Sequence, residues 1–331
     1  QVRHIHVRYG SSLAVFMIVG GFQLESIRKS ADSSQTFLRL PRFIGGRLSP
    51  TQSFLMNAFS AQALPPIVLT FAANDPSGGA GLPADLMTIA SLGCHPLSVT
   101  TALTVQDTIG VRRVLPVDAA CVSEQARIVL ADIPVAAFKI GLLGSIENVA
   151  AIAEIVAEHP GIPLVFDPVL ASGRGERLVD DKVIVGVREL LVPLTTILTP
   201  NSLEARRLLP GEQRTLAECA DSLLALGCAY VLVTGTHEPG ERVVNTLYAR
   251  RLGALRSDAW DRLPGSYHGS GCTLASAIAA QLARGMSVEQ AVWAAQEYTW
   301  QALAAGFRPG RGQFIPNRFA HSYAARGGEG G

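Results

Sequence analysis

From Pro65 onward the chain alternates between short apolar runs rich in β-forming residues and longer stretches of helical period. The runs Ile67–Phe71, Leu97–Val105, Gly110–Val114, Ala136–Leu143, Pro163–Phe166, Thr195–Leu198 and Tyr230–Val233 predict strands. The periodic stretches Leu82–Leu92, Ser145–Ala157, Lys182–Leu191, Ser202–Leu209, Leu216–Leu226, Gly271–Arg284 and Val288–Ala304 predict helices. Repeated strand-then-helix units imply an α/β fold, a mainly parallel central sheet with helices on both faces. Two extended pieces, Val243–Ala249 and Ala254–Trp260, lie close together and predict a small antiparallel edge element. No repeat and no linker interrupts residues 65–317, so residues 64–320 read as one domain and 321–331 as a flexible tail.

Residues 1–63 follow a different pattern. They carry Arg3, Arg8, Arg28, Lys29, Arg39, Arg42 and Arg47 against only Glu25 and Asp32, without a clear period. The apolar run Ser12–Phe22 is shorter than the ~20 residues a membrane span needs. Arg8 precedes it as in a signal peptide, yet no small-x-small cleavage site follows. Met56 stands shortly before the first strand, so the expectation is a disordered, dispensable extension outside the working domain.

Composition narrows the function classes. The chain has 331 residues, 48% of them hydrophobic and 17% charged, enough for one large domain with a sizeable core. A net charge of +1, with basic residues scattered, offers no field for nucleic acid or a membrane surface. Cys94, Cys121, Cys219, Cys228 and Cys272 form no C-x-x-C pair, which fits reduced thiols of a cytoplasmic protein.

In an open parallel sheet, ligands bind beyond the carboxyl ends of the strands. Nearly every unusual polar cluster of this chain follows a predicted strand. The segment Tyr267-His268-Gly269-Ser270-Gly271-Cys272-Thr273 opens a helix of small residues. Its glycines allow a sharp turn, and the unpaired amides of a helix start face an anion. A cysteine there is expected to have a lowered thiol pKa. A tight structural turn with Cys272 as filler accounts for the same residues. Asp75-Pro76-Ser77-Gly78-Gly79-Ala80-Gly81 completes neither a Walker A nor a dinucleotide fingerprint. It reads as a loop that lets a ligand approach the backbone, with Asp85 as an acceptor in the first helical turn or as plain dipole complementation. Gln106 offers both a donor and an acceptor for a heterocycle. Asn201 and Glu204 fit a capping box as well as a hydrated Mg²⁺. Asp167 and Thr234-Gly235-Thr236 also sit at strand ends.

Quoted as they stand, DPSGGAGLPADL, TALTVQDTIGV, AAFKIGLLGS, VFDPVLASG, LTPNSLEA, LVTGTH and HGSGCTLASA resemble the hydroxymethylpyrimidine/phosphomethylpyrimidine kinases of thiamine biosynthesis, in the ribokinase superfamily. They occur in that family's order over residues 66–308. The resemblance implies a ribokinase-like fold, ATP as co-substrate, Mg²⁺, and two successive phosphorylations of the pyrimidine. It implies an anion hole of Gly269, Ser270 and Gly271, with Cys272 as general base. Asp85, Gln106, Thr104, Leu142, Ala73 and Asn74 would meet the pyrimidine. Thr234, Gly235, Thr236 and Asn201 would meet the nucleotide, and Glu204 with Asp167 the metal. A homodimer is expected, with Val243–Trp260 as the edge that pairs. Three departures bear on this picture. Ala73-Asn74 stands where the family has Gly followed by Thr or Ser, Thr234 stands where lysine is common, and Ala171-Ser172 lacks the family's lysine. Arg174 or K⁺ is the expected compensation. A pyridoxal kinase and a non-catalytic pyrimidine-binding module are the alternatives.

Overall fold

The computed structural model describes residues 2–9, 12–19, 64–173, 175–211 and 214–320. Two compact units separate at residue 62. In the first, β1 (Val2–Tyr9) and β2 (Ser12–Val19) pair as an antiparallel hairpin, from Val2 opposite Val19 to Tyr9 opposite Ser12. No regular element was expected there. Alternating Val, Ile and Phe make both segments strand formers. The rest of the expected extension, and the expected tail, lie outside the described residues.

The second unit holds one sheet of nine strands. In chain order its elements are β3 (Ile67–Asn74), α1 (Gly81–Ser91), β4 (His95–Gln106), β5 (Val111–Pro116), α2 (Ala119–Asp132), β6 (Ala137–Ile140), α3 (Ile146–Ala157), β7 (Leu164–Phe166) and α4 (Asp181–Gly186). There follow β8 (Ile197–Leu198), α5 (Ser202–Arg207), α6 (Leu216–Leu226), β9 (Tyr230–Thr234), β10 (Arg242–Ala249), β11 (Gly253–Asp261), α7 (Ser270–Ala283) and α8 (Val288–Ala304). The spatial order is β11-β10-β9-β8-β7-β6-β3-β4-β5. Six central strands, β9 to β4, run parallel, and antiparallel pairs close both edges, β4–β5 at one and β9–β10–β11 at the other. The mainly parallel sheet stands as expected. The antiparallel pairing of β5 is an addition, because a short connection such as 107–110 can only make a hairpin.

Successive side chains of a strand point to opposite faces, so each central strand feeds two cores. Leu69, Phe71, Phe138, Ile140 and Phe166 pack on one side with Val149 and Ile152 of α3. Val68, Ala137, Val165 and Ile197 pack on the other against Ala275, Ile278 and Ala279 of α7. The small residues of α7 let it lie close over the middle of the sheet. Helix α2 was missed: only Val122 and Ala126 are buried on it, too few to show a period, although Asp118 caps its first amides. The helix expected over 182–191 breaks into α4 and a π-helical turn, Val187–Leu191. No helix among the described residues is long and apolar enough to cross a membrane.

Candidate active site

A cavity of about 490 Å³ opens over the carboxyl ends of the parallel strands. Its centre is the turn into α7. Gly269, the residue before the helix, has φ 83°, a left-handed conformation that favours glycine. A Cβ there would stand 1.9 Å from the Gly79 carbonyl oxygen. The turn is therefore pressed against the first glycine loop, with room for hydrogen only. The amides of Ser270, Gly271 and Cys272 head the helix, where no intrahelical partner exists, and all three residues line the cavity. A Cβ on Gly271 would meet the Asp167 carboxylate at 3.7 Å, so the turn lies directly over that group.

Beneath the turn is a nest of buried ionisable groups. Lys139 of β6 is 0% exposed and donates to both oxygens of Asp85, at 2.9 and 2.8 Å. Asp85 also accepts from Thr70 at 2.9 Å and Ser276 at 2.7 Å. Burial opposes the Lys139 charge, but Asp85, Cys272 and Asp167 outweigh it and hold the ammonium above its usual range. Burial raises Asp167 above the ordinary carboxylate range, with Lys139 pulling it back and Asp85 pushing it further. The Cys272 thiol lies beside Asp167 and the Gly81 amide. Burial pushes that thiol up to about 12, against a smaller lowering by Lys139. The expected lowering at a helix start is thus overturned, because desolvation of the sulfur exceeds what the helix amides return.

Asp85 departs from expectation as well. It is the fifth residue of α1, not in its first turn, and its fully buried carboxylate points down into the core. With four hydrogen bonds from three donors already on it, Asp85 does not line the cavity and is no acceptor for a pyrimidine. Asn74 is likewise displaced: its carbonyl accepts the Thr104 hydroxyl at 2.9 Å, joining β3 to β4, and its side chain stands outside the cavity. Ala73, Thr104, Gln106 and Leu142 do line it, at the β4 end.

At the other end, Asn201 and Glu204 form a complete capping box. Asn201 Oδ1 accepts from Leu203 N and Glu204 N at 3.0 Å, and Glu204 Oε2 accepts from Asn201 N at 3.0 Å. Both still line the cavity, and Glu204 is raised above the usual carboxylate range by burial and then by the charge of Asp167. Each carboxylate oxygen keeps a second lone pair, so the cap and a metal hydrate do not compete. Two buried carboxylates facing one cavity suit Mg²⁺, which takes few protein ligands. Thr234 and Thr236 line the cavity. Gly235 does not, because its amide donates to Asn245 Oδ1 at 3.1 Å and a Cβ would meet the Val244 carbonyl oxygen at 2.3 Å. Its role is to let β9 turn against β10.

The Phosphomethylpyrimidine kinase family model matches residues 75–317. The chain belongs to that family. A hydroxymethylpyrimidine/phosphomethylpyrimidine kinase of Streptomyces coelicolor is 41% identical over 78% of this chain and 96% of its own length. The crystal structure of a Clostridium difficile phosphomethylpyrimidine kinase is 34% identical, with a TM-score of 0.63, and covers 72% of this chain and 99% of its own. An ADP complex of Bacillus subtilis pyridoxal kinase is 28% identical, with a TM-score of 0.69, and covers 78% of this chain and 99% of its own.

Several residues of this phosphomethylpyrimidine kinase family member emerge only from the fold. Asp75 accepts from Ser77 N and Ala80 N at 2.8 Å and from His268 Nε2 at 2.8 Å. Burial opposes its charge, but His268, Gln106, Ser77 and Ala80 outweigh that and hold the carboxyl well below its usual range. It therefore joins the first glycine loop, the β4 end and the anion turn. Arg318 is 2% exposed and makes its bonds to uncharged groups: Thr273 Oγ1 at 3.1 Å, Gly78 O at 3.3 Å and Gly79 O at 2.5 Å. Its Nη2 lies 3.0 Å from where a Gly269 Cβ would be, so a positive charge sits behind the anion turn. Sequence spacing could not place it there, because Arg318 is 45 residues from Thr273. Arg318→Met is expected to cost about 1–3 kcal/mol, the penalty for leaving buried carbonyls unpaired, with Arg318→Lys recovering part of it. Denaturant melts of the three proteins measure this; equal midpoints would show that the clamp carries no load. The expected cation Arg174 lies outside the described residues.

Proposed function

We propose that the chain transfers the γ-phosphoryl group of ATP to the hydroxymethyl oxygen of 4-amino-5-hydroxymethyl-2-methylpyrimidine, and then phosphorylates the resulting monophosphate. The observation that carries this reading is one cavity with three parts in line. Along the strand order, the wall of Ala73, Leu142 and Gln106 comes first, the glycine turn over Asp167 and Cys272 second, and the Asn201–Glu204–Thr234 end last. The acceptor oxygen forms its bond to the γ-phosphorus as the bond to the ADP oxygen breaks. Amides of residues 270–272 receive the charge on the equatorial oxygens. The hydroxymethyl proton goes to the adjacent Cys272–Asp167 pair; a thiol pushed up to about 12 is not a base acting alone. Glu204 and Asp167 would hold Mg²⁺, which when bound neutralises phosphate charge. Gln106 remains to read the ring, since Asp85 is spent on Lys139. Exchange of K⁺ for Na⁺ at constant ionic strength tests a monovalent cation.

The deciding experiment supplies the protein with MgATP and the hydroxymethylpyrimidine, with pyridoxal in parallel, and resolves the products by chromatography. Pyrimidine diphosphate establishes both steps. Pyridoxal phosphate alone would give the chain to the second reading, a pyridoxal kinase, which the likeness to the Bacillus subtilis enzyme supports. No product from folded protein leaves a binding module.

A pH dependence follows from the raised carboxylates. For an acid whose folded pKa is raised, the folded state binds its proton more tightly than the unfolded chain does. The stability this contributes is present at low pH and is lost as pH rises through the raised value. The metal-free protein is therefore expected to lose thermal stability between about pH 5 and pH 8. Mg²⁺ is expected to restore more at the upper end, since it needs both carboxylates ionised. Melts with and without MgCl₂ at both ends measure this, and an equal metal effect at each pH would contradict the assignment of Asp167 and Glu204.

A further inference from the structure

All three tryptophans of the chain gather in one cluster. The ring centroid of Trp260, on β11, is 5.4 Å from that of Trp293 and 6.5 Å from that of Trp300, both on α8. Trp260 and Trp300 line the cavity with Val243, Leu263 and Leu303, whereas Trp293 lies outside it beneath the Arg256 guanidinium. The strand order places this cluster along the site. Thr104 and Gln106 end β4, Asp167 follows β7, Thr234 ends β9, and β11 is two strands further on. Neighbouring strands are ~4.8 Å apart, so Trp260 lies about 10 Å beyond Thr234, on the side away from the pyrimidine end.

We propose that Trp260 and Trp300 form the platform on which the purine base of the nucleoside triphosphate stacks, and that the base is held by its face without its edge being read. This deepens the kinase reading and rests on it. The second half of the proposal comes from the hydrogen bonds. The Trp300 indole N–H donates to Asp261 O at 3.0 Å, and that of Trp260 donates to Gln296 Oε1 at 3.1 Å. Gln296 spends its amide on Asp258 Oδ2 at 2.9 Å. Arg262 donates to the carbonyls of Thr236, Glu238 and Gly240, at 2.8, 2.7 and 2.8 Å. These polar side chains are committed to the protein, while both indoles, half-buried, line the cavity. A flat aromatic base gains from an indole face whatever its edge carries.

Tryptophan emission reports on this cluster, because all three indoles belong to it. Titration with ADP is expected to change the tryptophan emission, and the hydroxymethylpyrimidine alone to leave it as it was. Trp300→Leu should raise KM for ATP roughly tenfold, the size of one aromatic–base stack, with KM for the pyrimidine held within about twofold. Trp300→Phe should restore most of the loss, which separates stacking from a folding defect. GTP should replace ATP with a kcat/KM within about tenfold, since stacking tolerates any base. Unchanged emission at saturating ADP, or a Trp300→Leu variant with normal KM for ATP, would overturn the platform. GTP poorer than ATP by about a hundredfold or more would overturn the unread edge, since a site that reads hydrogen bonds discriminates at least that strongly. Pyrimidine turnover by the unaltered chain is followed alongside. Absent turnover sinks the kinase reading, while the ADP titration still decides the slot.

Discussion

Cys272→Ala is expected to slow phosphorylation of the hydroxymethylpyrimidine by about 10²–10⁴-fold, the range for removing a positioned proton acceptor. The second step should suffer far less. Its acceptor is a phosphate oxygen that has already lost its proton near neutral pH, so only positioning and charge stabilisation remain to be supplied. Cys272 is 9% exposed and lies at the head of α7, beside Asp167 and the Gly81 amide. Alanine removes the sulfur without disturbing the Gly269 turn. The check is a pair of rate measurements, one from the alcohol and one from purified monophosphate. Equal losses in the two would refute the proton-transfer role and make Cys272 a packing residue.

The other large effect is on stability. Lys139→Met is expected to destabilise the protein by about 3–5 kcal/mol, because it strands the Asp85 carboxylate in the core without its counter-charge. Methionine matches the lysine in length, so little of this loss is a cavity. The site is built for an ammonium: Asp85 gives it both oxygens, and Gly141 lacks a Cβ that would stand 2.9 Å from Nζ. Against a total of roughly 5–15 kcal/mol for a folded domain, that is a large fraction. Denaturant midpoints measure it, with the m-value serving to confirm a common unfolding reaction. Lys139→Met combined with Asp85→Leu should recover more than half of the loss, since the pair is removed together. A double variant no better than the single one would show that Asp85 is held chiefly by Thr70 and Ser276.

The alternation of apolar runs with helical periods determined the α/β class, the mainly parallel sheet and nearly every element from residue 64 on. Those signals are local, and the two periods are far apart. Gly269, Ser270, Gly271 and Cys272 were readable for the same reason: a glycine turn and the helix it opens are adjacent in sequence. Asn201 and Glu204 were readable as a cap, and they are one. What the sequence could not determine was which side chains meet across the sheet. Asp85 looked like a ligand contact because an acid near a helix start is ambiguous. Its partner Lys139 lies 54 residues away on a strand that is otherwise apolar. His268 reaches Asp75 across 193 residues, and Arg318 reaches Gly79 across 239. The thiol of Cys272 shows the limit most plainly. Its neighbours in sequence promise a lowered pKa, yet the folded chain buries the sulfur among Asp167, Lys139 and Asp85 and reverses the direction. Desolvation is set by everything that packs around an atom, and only the tertiary structure decides what that is.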